Sequence, residues 1–126
     1  LLGLRRSKHL KKILITGCDL ENTQKLGHSL EEYFEVSVSC CLEKDVLGLC
    51  LAKNFDLIIT DYSSNKNTGI ALIKKVKEIQ PNIKSILLSD RLIPDEGKIR
   101  RSGINVLIKK PLNMDALRQA INLVLV

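Results

Sequence analysis

A carboxylate, a hydroxyl and an amine that could share one piece of chemistry each stand where a short apolar run gives out. Asp61 closes Leu57-Ile58-Ile59-Thr60, Ser89 closes Ser85-Ile86-Leu87-Leu88, and Lys110 lies two places beyond Asn105-Val106-Leu107-Ile108. A carboxylate can accept a transferred group, an amine can neutralise the charge that arrives with it, and a hydroxyl can bond one of its oxygens. A phosphate-and-metal site would also want two further acids. The matching run Ile13-Leu14-Ile15-Thr16 ends instead on Gly17 and Cys18.

These residues must be carried by regular elements. Five strand-length runs rich in Ile, Val and Leu recur, at Ile13–Thr16, Phe34–Cys40, Leu57–Thr60, Ser85–Ser89 and Asn105–Ile108. Between them, Leu26, Leu30 and Tyr33, then Leu72, Val76 and Ile79, then Leu117, Ile121 and Val124 recur at helical spacing. The alternation predicts an α/β domain with a parallel sheet covered by helices on both faces. Runs one, three, four and five are apolar throughout, as buried parallel strands are, whereas Phe34-Glu35-Val36-Ser37-Val38 alternates like an edge strand.

Boundary residues agree with this reading. Asp19 suits the cap of a helix starting at Leu20, Thr68 that of a helix over 69–79 closed by Pro81, and Asn113 that of the last helix. A fourth, short helix is expected from Pro94, through Asp95 and Glu96 in its first turn, to Arg100, Arg101 and Gly103 at its end. Ligands of open parallel sheets bind outside the carboxyl ends of the strands, so the acid, the hydroxyl and the amine should converge there.

In their order and spacing these residues resemble the receiver domain of two-component response regulators, from about Lys11 to the C-terminus. Asp61 falls on the phosphoacceptor position, and Gly69 follows eight residues later, as in the pattern D-x-x-M-P-x-x-x-G. Ser89 falls on the switch Ser/Thr, and Lys110-Pro111, seven residues after Gly103, matches the ending G-x-x-x-x-x-x-K-P. The resemblance implies a flavodoxin-like, doubly wound five-stranded sheet in the order 2-1-3-4-5. It also implies a bacterial, cytoplasmic signalling domain whose partner is a histidine kinase or a phosphotransfer protein. That partner would pass a phosphoryl group to Asp61, with Lys110 and Mg²⁺ neutralising it and Ser89 bonding it. Beyond forming and losing an aspartyl phosphate, such a domain is not an enzyme.

The departures from the pattern gather around the metal. Members of the family end their first strand on two adjacent acids, which with the acceptor hold Mg²⁺. Here those positions are Gly17, with no side chain, and Cys18, whose thiol is a poor ligand for a hard cation. The ligands left are Asp61, the backbone carbonyl of Ser63 and Asp19, and Asp19 serves better as a helix cap. Asp90 adds a negative charge after Ser89, Asn65 replaces the usual proline, and Leu107 replaces the aromatic three places before Lys110. With fewer acids present, Asp61 and Lys110 could neutralise each other directly. Two readings follow: a receiver that still accepts phosphate, or a pseudo-receiver that docks a partner or a second copy of itself. The docking face would be that of the fourth helix, fifth strand and fifth helix.

Composition narrows the alternatives. The 126 residues, 44% hydrophobic and 27% charged, suit one domain over 11–126, preceded by a tail or remnant at 1–10. No stretch has the roughly 18 to 20 apolar residues of a membrane span. Of the formal charge of +6, five positive charges are Arg5, Arg6, Lys8, Lys11 and Lys12, so the body is nearly neutral. With aromatic residues at 3%, this argues against direct nucleic-acid binding. Cys18, Cys40, Cys41 and Cys50 lack CxxC spacing, with only His9 and His28 as possible co-ligands, and are expected to be reduced and mostly buried thiols. A nucleotide binder lacks its Gly-rich loop after the first strand. A thiol enzyme on Cys18 lacks an evident base in His9 or His28.

Overall fold

The computed structural model describes residues 10–62, 68–89, 97, 101–110 and 112–126. Five strands, β1 (Lys12–Gly17), β2 (Glu35–Cys40), β3 (Leu57–Tyr62), β4 (Lys84–Ser89) and β5 (Val106–Lys109), pair in parallel in the order β2-β1-β3-β4-β5. This is the expected sheet, with each strand within a residue or two of the run that predicted it. Among the described residues three helices connect them, α1 (Leu20–Leu30), α2 (Glu43–Ala52) and α3 (Thr68–Ile79), and a further one, α4 (Met114–Val124), follows β5. The helix expected over 94–101 falls, apart from Gly97 and Arg101, outside the described residues.

Successive strand residues point to opposite faces, and each face has its own core. Leu14, Ile58 and Leu87 pack with Val46 and Cys50 of α2 and Leu72, Ile73 and Val76 of α3. Ile13, Ile15, Leu57, Ile59, Ile86 and Leu88 pack on the other face with Leu30 of α1 and Leu117 and Ile121 of α4. The sheet is therefore wound on both sides, as its apolar runs require.

One reading of the sequence is corrected. Tyr33 does not continue the buried stripe of α1, because the helix ends at Leu30, whose carbonyl receives the amides of both Tyr33 and Phe34 at 3.1 and 3.0 Å. That turn exposes Tyr33 (48%) and drives Phe34 into the core instead. The fifth apolar run forms the second edge of the sheet, as the order 2-1-3-4-5 implies, and is half-buried along Val106–Ile108, with Leu107 packed on one core and Val106 and Ile108 on the other.

The caps explain where the helices begin. Asp19 accepts a bond from the Asn22 amide at 3.3 Å, and Asn113 accepts from the amides of Asp115 and Ala116 at 2.9 and 3.2 Å. Thr68, expected as a cap, is already in α3, and its side chain lies outside the described residues. Gly103 has φ of 97°, a left-handed conformation natural to glycine, as it turns the chain into β5.

Candidate functional site

At the carboxyl ends of β1, β3 and β4 the sheet brings two of the three predicted side chains into contact. Asp61 pairs with Leu88 across β3 and β4, and its Oδ1 lies 3.2 Å from Lys110 Nζ. About a third of the Asp61 side chain and two fifths of the Lys110 side chain remain exposed, so the pair stands at the surface of the cleft (33% and 40%). The backbone of Lys110 is fixed by its amide, which donates to the Ser89 carbonyl at 2.7 Å. Ser89 is completely buried, one register step beyond Asp61 and opposite Tyr62 and Lys109. Asp90, Asn65, Ser63 and Pro111 lie outside the described residues.

The glycines near Asp61 have steric reasons to be glycine. A Cβ on Gly69 would lie 2.5 Å from the Asp61 carbonyl oxygen, a backbone atom with little room to yield. The eight-residue spacing therefore reflects α3 starting directly against the peptide of Asp61. A Cβ on Gly17 would meet Thr23 Oγ1 at 2.5 Å and Asp61 Oδ2 at 2.8 Å. The space a side chain would occupy at position 17 is filled by the Asp61 carboxylate and the Thr23 hydroxyl, which itself donates to the Asp19 carbonyl at 2.8 Å.

Asp19 is turned to capping. One oxygen accepts from the Asn22 amide and the other from Asn22 Nδ2 at 2.7 Å. Magnesium, implied by the resemblance, prefers near-octahedral oxygen ligands at about 2.0–2.1 Å. Among the described residues the side-chain donors do not fit it: Gly17 offers none, Asp19 is engaged in capping, and one oxygen of Asp61 is paired with Lys110. Among the described residues no cluster of three His, Cys, Asp or Glu side chains is placed to hold a metal. A cavity of about 80 Å³ opens between Thr23, Asp61, Lys110 and Leu112. That is far below the roughly 300 Å³ at which small-molecule pockets begin.

The cysteines are not the reduced, mostly buried set expected. Cys18 and Cys41 form a disulfide, with Cα atoms 5.0 Å apart. Cys18 is exposed, Cys40 and Cys41 are half-buried, and only Cys50 is buried. The cause is register. The pairing of β1 with β2 runs to Gly17 opposite Cys40, and the next residue on each strand is a cysteine. Sequence spacing of 23 residues hides this, whereas alignment of the first two apolar runs would have placed the pair face to face. Cys40 remains a thiol, donating to Asp45 Oδ2 at 3.1 Å. His28 lies against Glu31 at 3.4 Å, and His9 lies outside the described residues.

No helix among the described residues is long and apolar enough to cross a membrane. The response regulator receiver domain family model matches residues 9–122. The transcriptional regulatory protein GlrR of Escherichia coli (strain K12) is 32% identical over 68 residues, 53% of this chain, and the match spans only 15% of that protein. A receiver domain protein (CheY-like) from Methanospirillum hungatei JF-1 has TM-score 0.78 at 24% identity, covering 91% of this chain and 94% of its own. A response regulator from Thermotoga maritima has TM-score 0.80 at 19% identity, covering 92% and 98%. With the strand order, the two-sided core and the Asp61–Lys110 pair already in place, the chain belongs to the response regulator receiver domain family of two-component signalling.

Proposed function

We propose that this receiver domain works as a pseudo-receiver, passing its signal by docking a partner rather than by magnesium-dependent transfer of phosphate to Asp61. Receiver domains act with histidine kinases or phosphotransfer proteins, and this one is read as keeping such a partner while losing the chemistry between them. The observation that carries the reading is the direct contact of Asp61 with Lys110 at 3.2 Å. In the absence of an acid at position 17, Lys110 balances the Asp61 carboxylate directly, and a cation is no longer needed for that role.

Two features support docking as the retained function. β5 is a sheet edge, and α4 beside it exposes Leu123 (78%). Both elements belong to the face assigned to a partner or a second copy from the sequence. Magnesium is weakened or absent in this reading, and the domain remains cytoplasmic.

Incubation with a small phosphodonor and MgCl₂, followed by intact mass measurement, tests the proposal. The expected spectrum is that of the unmodified chain. A phosphate adduct in the wild type that disappears in Asp61→Ala would establish phosphotransfer and overturn the pseudo-receiver reading.

A further inference from the structure

Where the family pattern has its second acid, this chain has a cysteine bonded to the end of the neighbouring strand. We propose that Cys18 and Cys41 are a reversible dithiol–disulfide couple, exchanged by a low-molecular-weight disulfide or dithiol, which sets the freedom of the loop packed on Asp61.

Geometry favours reversibility. The two cysteines face each other because six parallel register pairs, from Lys12–Glu35 to Gly17–Cys40, hold β1 against β2 without help from sulfur. Thr16 Oγ1 adds a further tie across the same strands, donating to the Cys40 carbonyl at 2.9 Å. Reduction therefore leaves the thiols close together, and re-formation is intramolecular. Cys18 is exposed, so an incoming sulfur can reach it. In a reducing compartment persistent structural disulfides are rare, and those found there are mostly transient and redox-active.

The exchange balances as follows. A Cys18 thiolate attacks one sulfur of an oxidised glutathione-type disulfide, expelling a thiol and leaving a mixed disulfide on Cys18. The Cys41 thiolate then attacks the Cys18 sulfur and expels the second thiol. Two electrons and two protons pass from the cysteine pair to the small disulfide, which becomes two thiols, and a small dithiol reverses the sequence.

The couple is wired to the site through its neighbours. Cys18 follows Gly17, whose α-carbon is packed against the Asp61 carboxylate, and precedes Asp19, the cap of α1. Closing the disulfide pins this loop to the end of β2, and opening it leaves the segment held by its backbone bonds and the cap alone. Cys50 serves as an internal control, because burial pushes its thiol pKa up and shields it from reagents.

This inference does not depend on whether Asp61 accepts phosphate. The test equilibrates the chain in glutathione buffers from reducing to oxidising, traps thiols by alkylation, maps them by peptide mass and measures amide exchange in parallel. Reducing buffer is expected to make Cys18 and Cys41 alkylatable together, and oxidised glutathione to protect both without a lasting adduct. Cys41→Ser should instead retain glutathione on Cys18. Exchange in peptides covering 17–20 should quicken several-fold on reduction, with β4 unchanged. Stable glutathione adducts on wild-type Cys18, a pair that glutathione neither opens nor closes, or exchange at 17–20 indifferent to redox state would each overturn the proposal. The wild-type comparison stands even if the serine variant folds poorly.

Discussion

Asp61 and Lys110 were legible as chemistry because each ends an apolar run, and a direct pair between them was foreseen once the missing acids were noticed. Both side chains keep substantial contact with water, so their mutual stabilisation is expected to be only about 0–1 kcal/mol in a double-mutant cycle of Asp61→Asn and Lys110→Met, read by urea unfolding. The glycines were legible only as letters in a pattern. Their cause is contact, and the two should answer differently to the same change. Gly69→Ala forces a Cβ against the backbone oxygen of Asp61 and is expected to cost about 2 kcal/mol or more. Gly17→Ala meets the ends of two side chains that can turn away, and should cost less than about half as much. Equal urea midpoints for the two variants would contradict the contact argument. The Cys18–Cys41 bond was the clearest miss, since it depends on strand register and the cysteines were read only by their spacing along the chain.

At the level of elements, caps and apolar periodicity identified α1, α3 and α4, while α2 left almost no signal. Its cap position is Leu42, which makes no side-chain capping bond, and its apolar residues are not confined to one face. Besides the core packing of Val46 and Cys50, it is tied down by Gln80, a residue with no sequence signature. Buried at the end of α3, Gln80 accepts from the Phe55 amide at 2.8 Å and donates to the carbonyls of Cys50 and Lys53, each at 2.8 Å. Gln80→Ala strands these buried groups and is expected to destabilise the fold by about 2–3 kcal/mol, measured by denaturant unfolding. Asn113→Ala, which removes a two-bond cap, should cost about 1 kcal/mol. Lys77 makes α3 pH-sensitive. Its amine donates to the Ile83 carbonyl at 2.7 Å, and burial, with Lys84 nearby, lowers its pKa below 10.5. The unfolded chain then binds the extra proton between the lowered value and 10.5, so stability rises with pH across that window. Comparing urea midpoints of wild type and Lys77→Met through that range should show the rise only in the wild type.

At the scale of the whole molecule, the two-sided core followed from hydrophobic pattern and the strand order from the family resemblance, and the pattern explains why a response regulator of 19% identity shares the fold at TM-score 0.80. Burial restricts the strands to Ile, Val and Leu in alternating directions without specifying which, so identity drifts while topology stays. Function is less constrained by the fold, because it rests on a few residues at the strand ends. In the proposed reading, one ion pair and one disulfide stand at these strand ends in place of a metal cradle. The central claim is therefore that Lys110 stands in for magnesium at Asp61. Its most direct test is a MgCl₂ titration of the isotope-labelled chain, following the backbone amide resonances of Gly17, Cys18, Asp61 and Lys110. The account predicts no saturable shift at millimolar magnesium in the wild type. A saturable shift centred on Asp61, lost in Asp61→Ala, would contradict it.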